Sequence, residues 1–445
     1  MEINYTYTMT KLIKHTFMFS LFLIHVQTFS QEDDFYNPNH LRYENKTYND
    51  NIKTVQLFRS GWNEAFPVIN LNQSHSLYLT FDDLSDNLKN LGYTFIHCTS
   101  DWTPSDMMKV EYLNGLEDNL LSKYGFSSTM YQTFIKYELT FPNQDVQFTK
   151  SGNYLLVVYD LDNEDQPILT RRFFVAEYFT SIIPNIHRPT QGRYRQNSHE
   201  VDFTISQSQI QLIQPFSTMK VVITQNQNWN NAITNLKPKF INGNKLIYDY
   251  DEENIFPAGN QFRVVDIRNI NYNSLTTSHI ATINDSLNAY IFPDKPRSSM
   301  VYLTTPDING HFYLKNDDIR FDSDLESEYM NVHLALLYPN KLYKADIYLY
   351  GQLTGWAFDD AYKMKWNPEK KSYETNIYLK QGYYNYLYLY KPQDSVKGDV
   401  AIIEGSHVET DNEYSFFVYY KEPGQIYERL IGYNTVVYPD YSLNK

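Results

Sequence analysis

A chain of 445 residues exceeds the roughly 250–300 residues at which a single hydrophobic core stops growing, so several domains are expected. Hydrophobic residues at 42% and charged residues at 20% exclude a disordered chain, and a formal net charge of -14 argues against a partner that must be held by basic contacts to phosphate, so no nucleic acid is expected. With 41 Tyr and 27 Phe against 16 Gly, the composition favours rings packed across neighbouring strands and an all-β protein.

The N-terminus reads as a secretory signal peptide over 1–30: Lys11 and Lys14 give the positive region, and Phe17 to Val26 a short apolar region broken by Ser20 and His25. Thr28 and Ser30 are the small residues of the expected cleavage site, which leaves Gln31 as the new first residue; no cysteine follows, so no lipid anchor is expected. About ten apolar residues cannot span a bilayer core of roughly 30 Å as a helix, and nothing later in the chain holds 18 consecutive apolar residues.

The first mature domain is expected over 31–178. Period-two runs predict strands at 54–58, 76–81, 154–160 and 168–175, the last two joined by a polar hairpin loop, Leu161 to Pro167. The segment Ser105 to Tyr124 stays open between helix and turn, because its apolar residues fit a helical face only partly and Asn114-Gly115 signals a turn. A middle β-sandwich is expected over 179–298, with strands at 199–206, 218–224, 245–250 and 261–267; an acidic linker or long loop over 299–330; and an immunoglobulin-like β-sandwich over 331–445, with strands at 344–350, 372–379, 383–390 and 414–421. The architecture predicted is a series of tandem immunoglobulin-like β-sandwiches.

Catalytic spacing is missing: the chain has no GxSxG, HExxH, Walker loop or GxGxxG, so neither enzyme activity nor a cofactor or metal is expected. Asp160, Asp162 and Glu164 alternate like a calcium loop, but Asp165 stands where Gly is needed and the distal Glu is missing, so an acidic hairpin tip is the better reading. His97 and Asp101 could form an acid/base pair or be structural, and Cys98, the single cysteine, reads as a small core residue in Phe95-Ile96-His97-Cys98. Trp356, in Leu349 to Trp356, and Trp366 lie on a strand, turn and strand similar to the modules beside starch-processing enzymes. Either they pack the sandwich or they stack on sugars, which makes an α-glucan-binding envelope protein the alternative function.

The ordered series His97-Cys98, Asp101-Trp102, Ser105, Glu111 to Gly115, Tyr137 through Pro142-Asn143, Gln225-Asn226, Trp229, Pro238, Phe256 to Arg263 and Leu379 to Tyr386 resembles the plug proteins of the type IX secretion system, an envelope machine of the Bacteroidota. One departure is Gln261, where an acidic residue is expected beside Arg263; the resemblance then implies a hydrogen bond from Arg263 to a neutral Gln261. It further implies a periplasmic monomer within a hetero-complex, peripheral to the outer membrane, that covers the translocon barrel while no substrate occupies it. An integral outer-membrane barrel fits less well, since the strands are short and the chain ends Ser442-Leu443-Asn444-Lys445 instead of on an aromatic residue.

Overall fold

Alternating side chains give a strand one face for a core, and the runs expected at 54–58, 76–81, 154–160 and 168–175 form as Ile52–Arg59, Leu77–Asp83, Gly152–Asp160 and Gln166–Ala176. The computed structural model describes residues 40–440 apart from 63–64, 86, 164–165, 208 and 320–323. The signal peptide and its Ser30–Gln31 junction therefore lie outside the described residues, as does Glu164 of the acidic hairpin tip. Tyr43–Lys445 is one compact all-β unit, and among the described residues α-helix is confined to single turns such as Lys109–Tyr112 and Ala401–Glu404.

The first sandwich packs two sheets. One runs in the order Lys46–Thr47, Gln166–Ala176, Gly152–Asp160, Leu91–Cys98, Asp118–Leu121, and the other Ile52–Arg59, Leu77–Asp83, Ile135–Phe141, Lys123–Phe126. Between them lie Leu79, Phe81, Phe95, Tyr137, Phe141, Tyr154, Leu156 and Phe173. The open segment 105–124 resolves into a helical turn followed by short strands Leu113–Gly115 and Asp118–Leu121. Gly115 makes this possible: its φ is +117°, and a Cβ there would lie 2.1 Å from the Asp145 carbonyl oxygen.

The later strands do not pair within the segments expected from sequence. The middle sandwich sets Thr180–His187, Ser198–Gln207, Lys245–Tyr248 and Phe240–Asn242 against a sheet of Asn228–Ile233, Met219–Gln225, Asn412–Tyr420 and Arg429–Tyr438. Its core mixes Val201, Phe203 and Val221 with Tyr414, Phe416 and Ile431 from the C-terminal hairpin. The third sandwich in turn takes Arg263–Asp266 and Phe312–Leu314 onto Gly382–Pro392, and Ser286–Ile291 parallel to Tyr329–Leu337. The expected cuts at 298 and 331 are thus corrected. The chain enters the middle sandwich, builds the third from about residue 260 onward, and returns to close the middle one. The supposed linker 299–330 contributes a strand to the third sandwich. Local periodicity marks a strand but not its partner, which is why these cuts were misplaced.

Candidate functional site

Of the motif residues of the first domain, Asp101 and Trp102 reach the middle sandwich, and His97 lies close behind them. His97 is buried; its Nε2–H donates to the Ser151 carbonyl at 3.1 Å, so Nδ1 accepts from the Ser105 hydroxyl at 2.9 Å. Gly152 makes room for this ring, since a Cβ at its φ of +142° would stand 2.4 Å from Nε2. Burial lowers the imidazole pKa to about 4, so the ring is neutral at physiological pH. Burial also pushes the Cys98 thiol up to about 12, which removes it as a nucleophile. Asp101 does not pair with His97 but with Lys220 of the middle sandwich at 3.0 Å; Lys220 also holds Glu428 at 2.8 Å, and Glu428 accepts the Ser100 N–H at 2.8 Å. The acid/base pair imagined from sequence is therefore a bracket between two domains.

Beside it, Trp102 sits edge-on to Trp229 at 5.5 Å, under the Arg172 guanidinium at 4.3 Å, and Phe174 packs 4.6 Å from Phe417. The Phe417 contact buries Phe174 on the face turned away from the first core, the face that the buried Leu155 and Val157 share. Both faces of this sheet are buried, one in its own core and one against its neighbour. Gln225 and Asn226 tie the middle sandwich to its late-arriving hairpin, through the Tyr414 hydroxyl at 3.2 Å and Asn412 Oδ1 at 2.7 Å.

The first and third sandwiches are joined by a buried ion pair. Lys380 Nζ lies 2.7 Å from Asp82 Oδ2, 2.6 Å from the Asp324 carbonyl and 3.9 Å from the centre of the Phe134 ring, and Tyr329 donates to the same carboxylate at 2.8 Å. Burial raises the pKa of Asp82 and lowers that of Lys380. Within the third sandwich, Arg263 binds Asp294 at 2.6 Å and Glu404 at 3.0 Å, while Arg297 binds Glu404 at 2.8 Å. This corrects the neutral Gln261–Arg263 bond expected from the resemblance: the Gln261 amide donates to Asp411 at 2.6 Å and to Tyr302 at 2.9 Å. Asp294, Glu404 and Glu428 escaped sequence reasoning because isolated acids carry no periodic or motif signal.

Trp356 is buried, edge-on to Tyr350 at 5.2 Å and near Phe262, so it offers no open face to a sugar ring; Trp366 is half-buried against Tyr373 at 5.1 Å. One exposed apolar surface lies on the first sandwich. Asp118–Leu121 and Lys123–Phe126 are the end strands of the two sheets of the first sandwich and are separated by Ser122 alone, so they share one flank. Leu116, Leu120, Tyr124 and Phe126 are exposed there, Leu120 by 68% and Phe126 by 63%. An edge of this kind can pair with another chain, which makes it the candidate protein-binding surface.

Residues 52–177, the whole of this sandwich apart from its first short strand, match the model described as the type 9 secretion system plug protein first domain. The chain carries the first domain of the type IX secretion system plug protein family. A crystal structure of a hypothetical protein from Parabacteroides merdae is 34% identical, with a TM-score of 0.86, and the match covers 89% of this chain and all of that one. An alkylpurine DNA glycosylase from Pseudomonas fluorescens, bound to DNA containing an abasic site analogue, aligns over 28% of this chain and 30% of its own at 11% identity. Its TM-score of 0.15 is too low to carry any argument. No curated protein matches the sequence significantly. Plug family membership implies an envelope-associated protein with a structural role that engages another secretion-system component. Among the described residues no helix is long and apolar enough to cross a membrane.

Proposed function

We propose that this protein is a periplasmic plug that binds the outer-membrane type IX translocon barrel and closes its periplasmic opening while no substrate is present. It does so as a monomer within a hetero-complex and without catalysis. The observation that carries this reading is the plug-domain match at 52–177 on a sandwich braced to the middle one by buried hydrogen bonds, Ser100 N–H to Glu428 and the Tyr419 hydroxyl to Asn153, and to the third by the buried Lys380–Asp82 pair. A barrel of many strands encloses an aqueous channel and leaks unless something covers it. A cover needs a stiff body and a reversible contact, and an interface of about 1,000–2,000 Å² supplies that without chemistry. The exposed flank at Leu116, Leu120, Tyr124 and Phe126 lies inside the matched domain and is the surface this reading assigns to the barrel rim.

The test is entry of a normally excluded dye into cells that lack the protein, compared with cells that lack both protein and barrel. The single deletion leaks and the double deletion does not. A single deletion as tight as the parent strain, in cells with assembled and substrate-free barrels, refutes the plug reading.

A further inference from the structure

The edge of the middle sandwich holds a cluster that the plug reading does not use. In the antiparallel pair of Thr180–His187 with Ser198–Gln207, His187 stands opposite Glu200, and Glu200 and Asp202 are two residues apart, so all three side chains project from one face. Their donor atoms lie within 4.8 Å of one another, with His187 Nε2 at 3.0 Å from Asp202 Oδ2 and 4.0 Å from Glu200 Oε1.

Each of the three residues has its other polar atom already engaged. Thr190 donates its N–H at 2.8 Å and its hydroxyl at 3.2 Å to Glu200 Oε2. The Asn254 amide at 2.8 Å and the Tyr250 N–H at 3.2 Å donate to Asp202 Oδ1. His187 Nδ1–H donates to the Arg188 carbonyl at 3.0 Å. What remains, Glu200 Oε1, Asp202 Oδ2 and His187 Nε2, faces a common point. Outer hydrogen bonds that fix the tautomer and aim the free donor atoms are what metal ligands require. Behind the cluster, Asn254 is fully buried, with its amide nitrogen on Asp202 Oδ1 and its own Oδ1 without a hydrogen-bond partner.

Charge decides between the possible occupants. With Nδ1–H committed, the Nε2 lone pair and a carboxylate oxygen meet at 3.0 Å, so a proton or a cation must lie between them. A proton gives one positive charge against two buried carboxylates, whereas a dication balances both. The neighbouring arginines are committed elsewhere, Arg188 to Glu409 at 3.0 Å and Arg193 to Glu252 at 2.7 Å.

We propose that His187, Glu200 and Asp202 bind one divalent transition-metal cation of the zinc or manganese class. One imidazole and two carboxylates suit these ions better than calcium or magnesium, which prefer oxygen ligands alone. The His187 side chain is one third exposed, which leaves a path for the ion and for water in the remaining coordination positions.

The experiment is calorimetric titration of the chelator-treated full chain with Zn²⁺ and, separately, with Mn²⁺, together with thermal unfolding in each ion. Expected are one ion per chain, a higher unfolding temperature with it, and binding weakened at least about tenfold in His187→Ala. His187 sits at the exposed end of the cluster, so this variant keeps the fold even where Asp202→Asn, which disturbs Asn254 and Tyr250, does not. Absence of saturable binding of either ion overturns the proposal, and so does binding that His187→Ala leaves unchanged. Neither result bears on the plug reading.

Discussion

Replacing Lys380 by Met tests whether the first and third sandwiches are held as one body. Lys380 and Asp82 have side chains 1% and 2% exposed, with Nζ 2.7 Å from the carboxylate oxygen. Removing the ammonium leaves Asp82 buried with the Tyr329 hydroxyl at 2.8 Å, and an uncompensated buried charge costs about 3–5 kcal/mol. Urea denaturation at pH 7.5, followed by circular dichroism, reads this loss directly. Two further outcomes separate charge burial from lost packing. Asp82→Asn in the Lys380→Met background removes the stranded charge and restores much of the stability. The deficit of the single variant also shrinks as pH falls. Burial already raises the folded pKa of Asp82, and loss of Lys380 raises it further, so the native state takes up a proton that the unfolded chain does not. A Lys380→Met protein as stable as the parent, or a double variant no better than the single, refutes this account of the joint.

Three other outcomes follow from the same geometry. His97 and His199 are both buried, with pKa lowered to about 4 by burial. Their contribution is intact above the unfolded value near 6.5 and is lost as pH falls from there to about 4, on the order of 3 kcal/mol for each ring, because only the unfolded chain takes up the proton in that window; a stability profile against pH should be shallower in His97→Gln with His199→Gln. Trp356→Ala should destabilise by about 3–5 kcal/mol as a buried aromatic, and α-glucans should bind the parent no better than buffer in calorimetry. Leu120→Asp with Phe126→Asp should change stability by less than about 1 kcal/mol yet abolish co-purification with the barrel, since both side chains stand in solvent; retained co-purification moves the docking surface away from this flank.

The sequence by itself determined the strands and the protein class. Runs such as 154–160 and 168–175 became Gly152–Asp160 and Gln166–Ala176 because period-two patterning is a local property of the chain. The ordered motifs pointed to the family, and three of their residues prove to be joint-makers: Asp101 on Lys220, Trp102 on Trp229, Lys380 on Asp82. Only the tertiary structure decided which strands pair. The hairpin Asn412–Tyr420 and Arg429–Tyr438 reads like the end of the last domain, yet it completes the middle one, because backbone hydrogen bonds carry no record of sequence distance. The partners of Arg263 were hidden for the same reason: Glu404 lies 141 residues away, and nothing in an isolated acidic side chain announces the charge it will meet. The cluster at His187 shows the limit most plainly. Glu200 and Asp202 are visible as neighbours on one strand, but only the antiparallel register brings a histidine from the preceding strand opposite them.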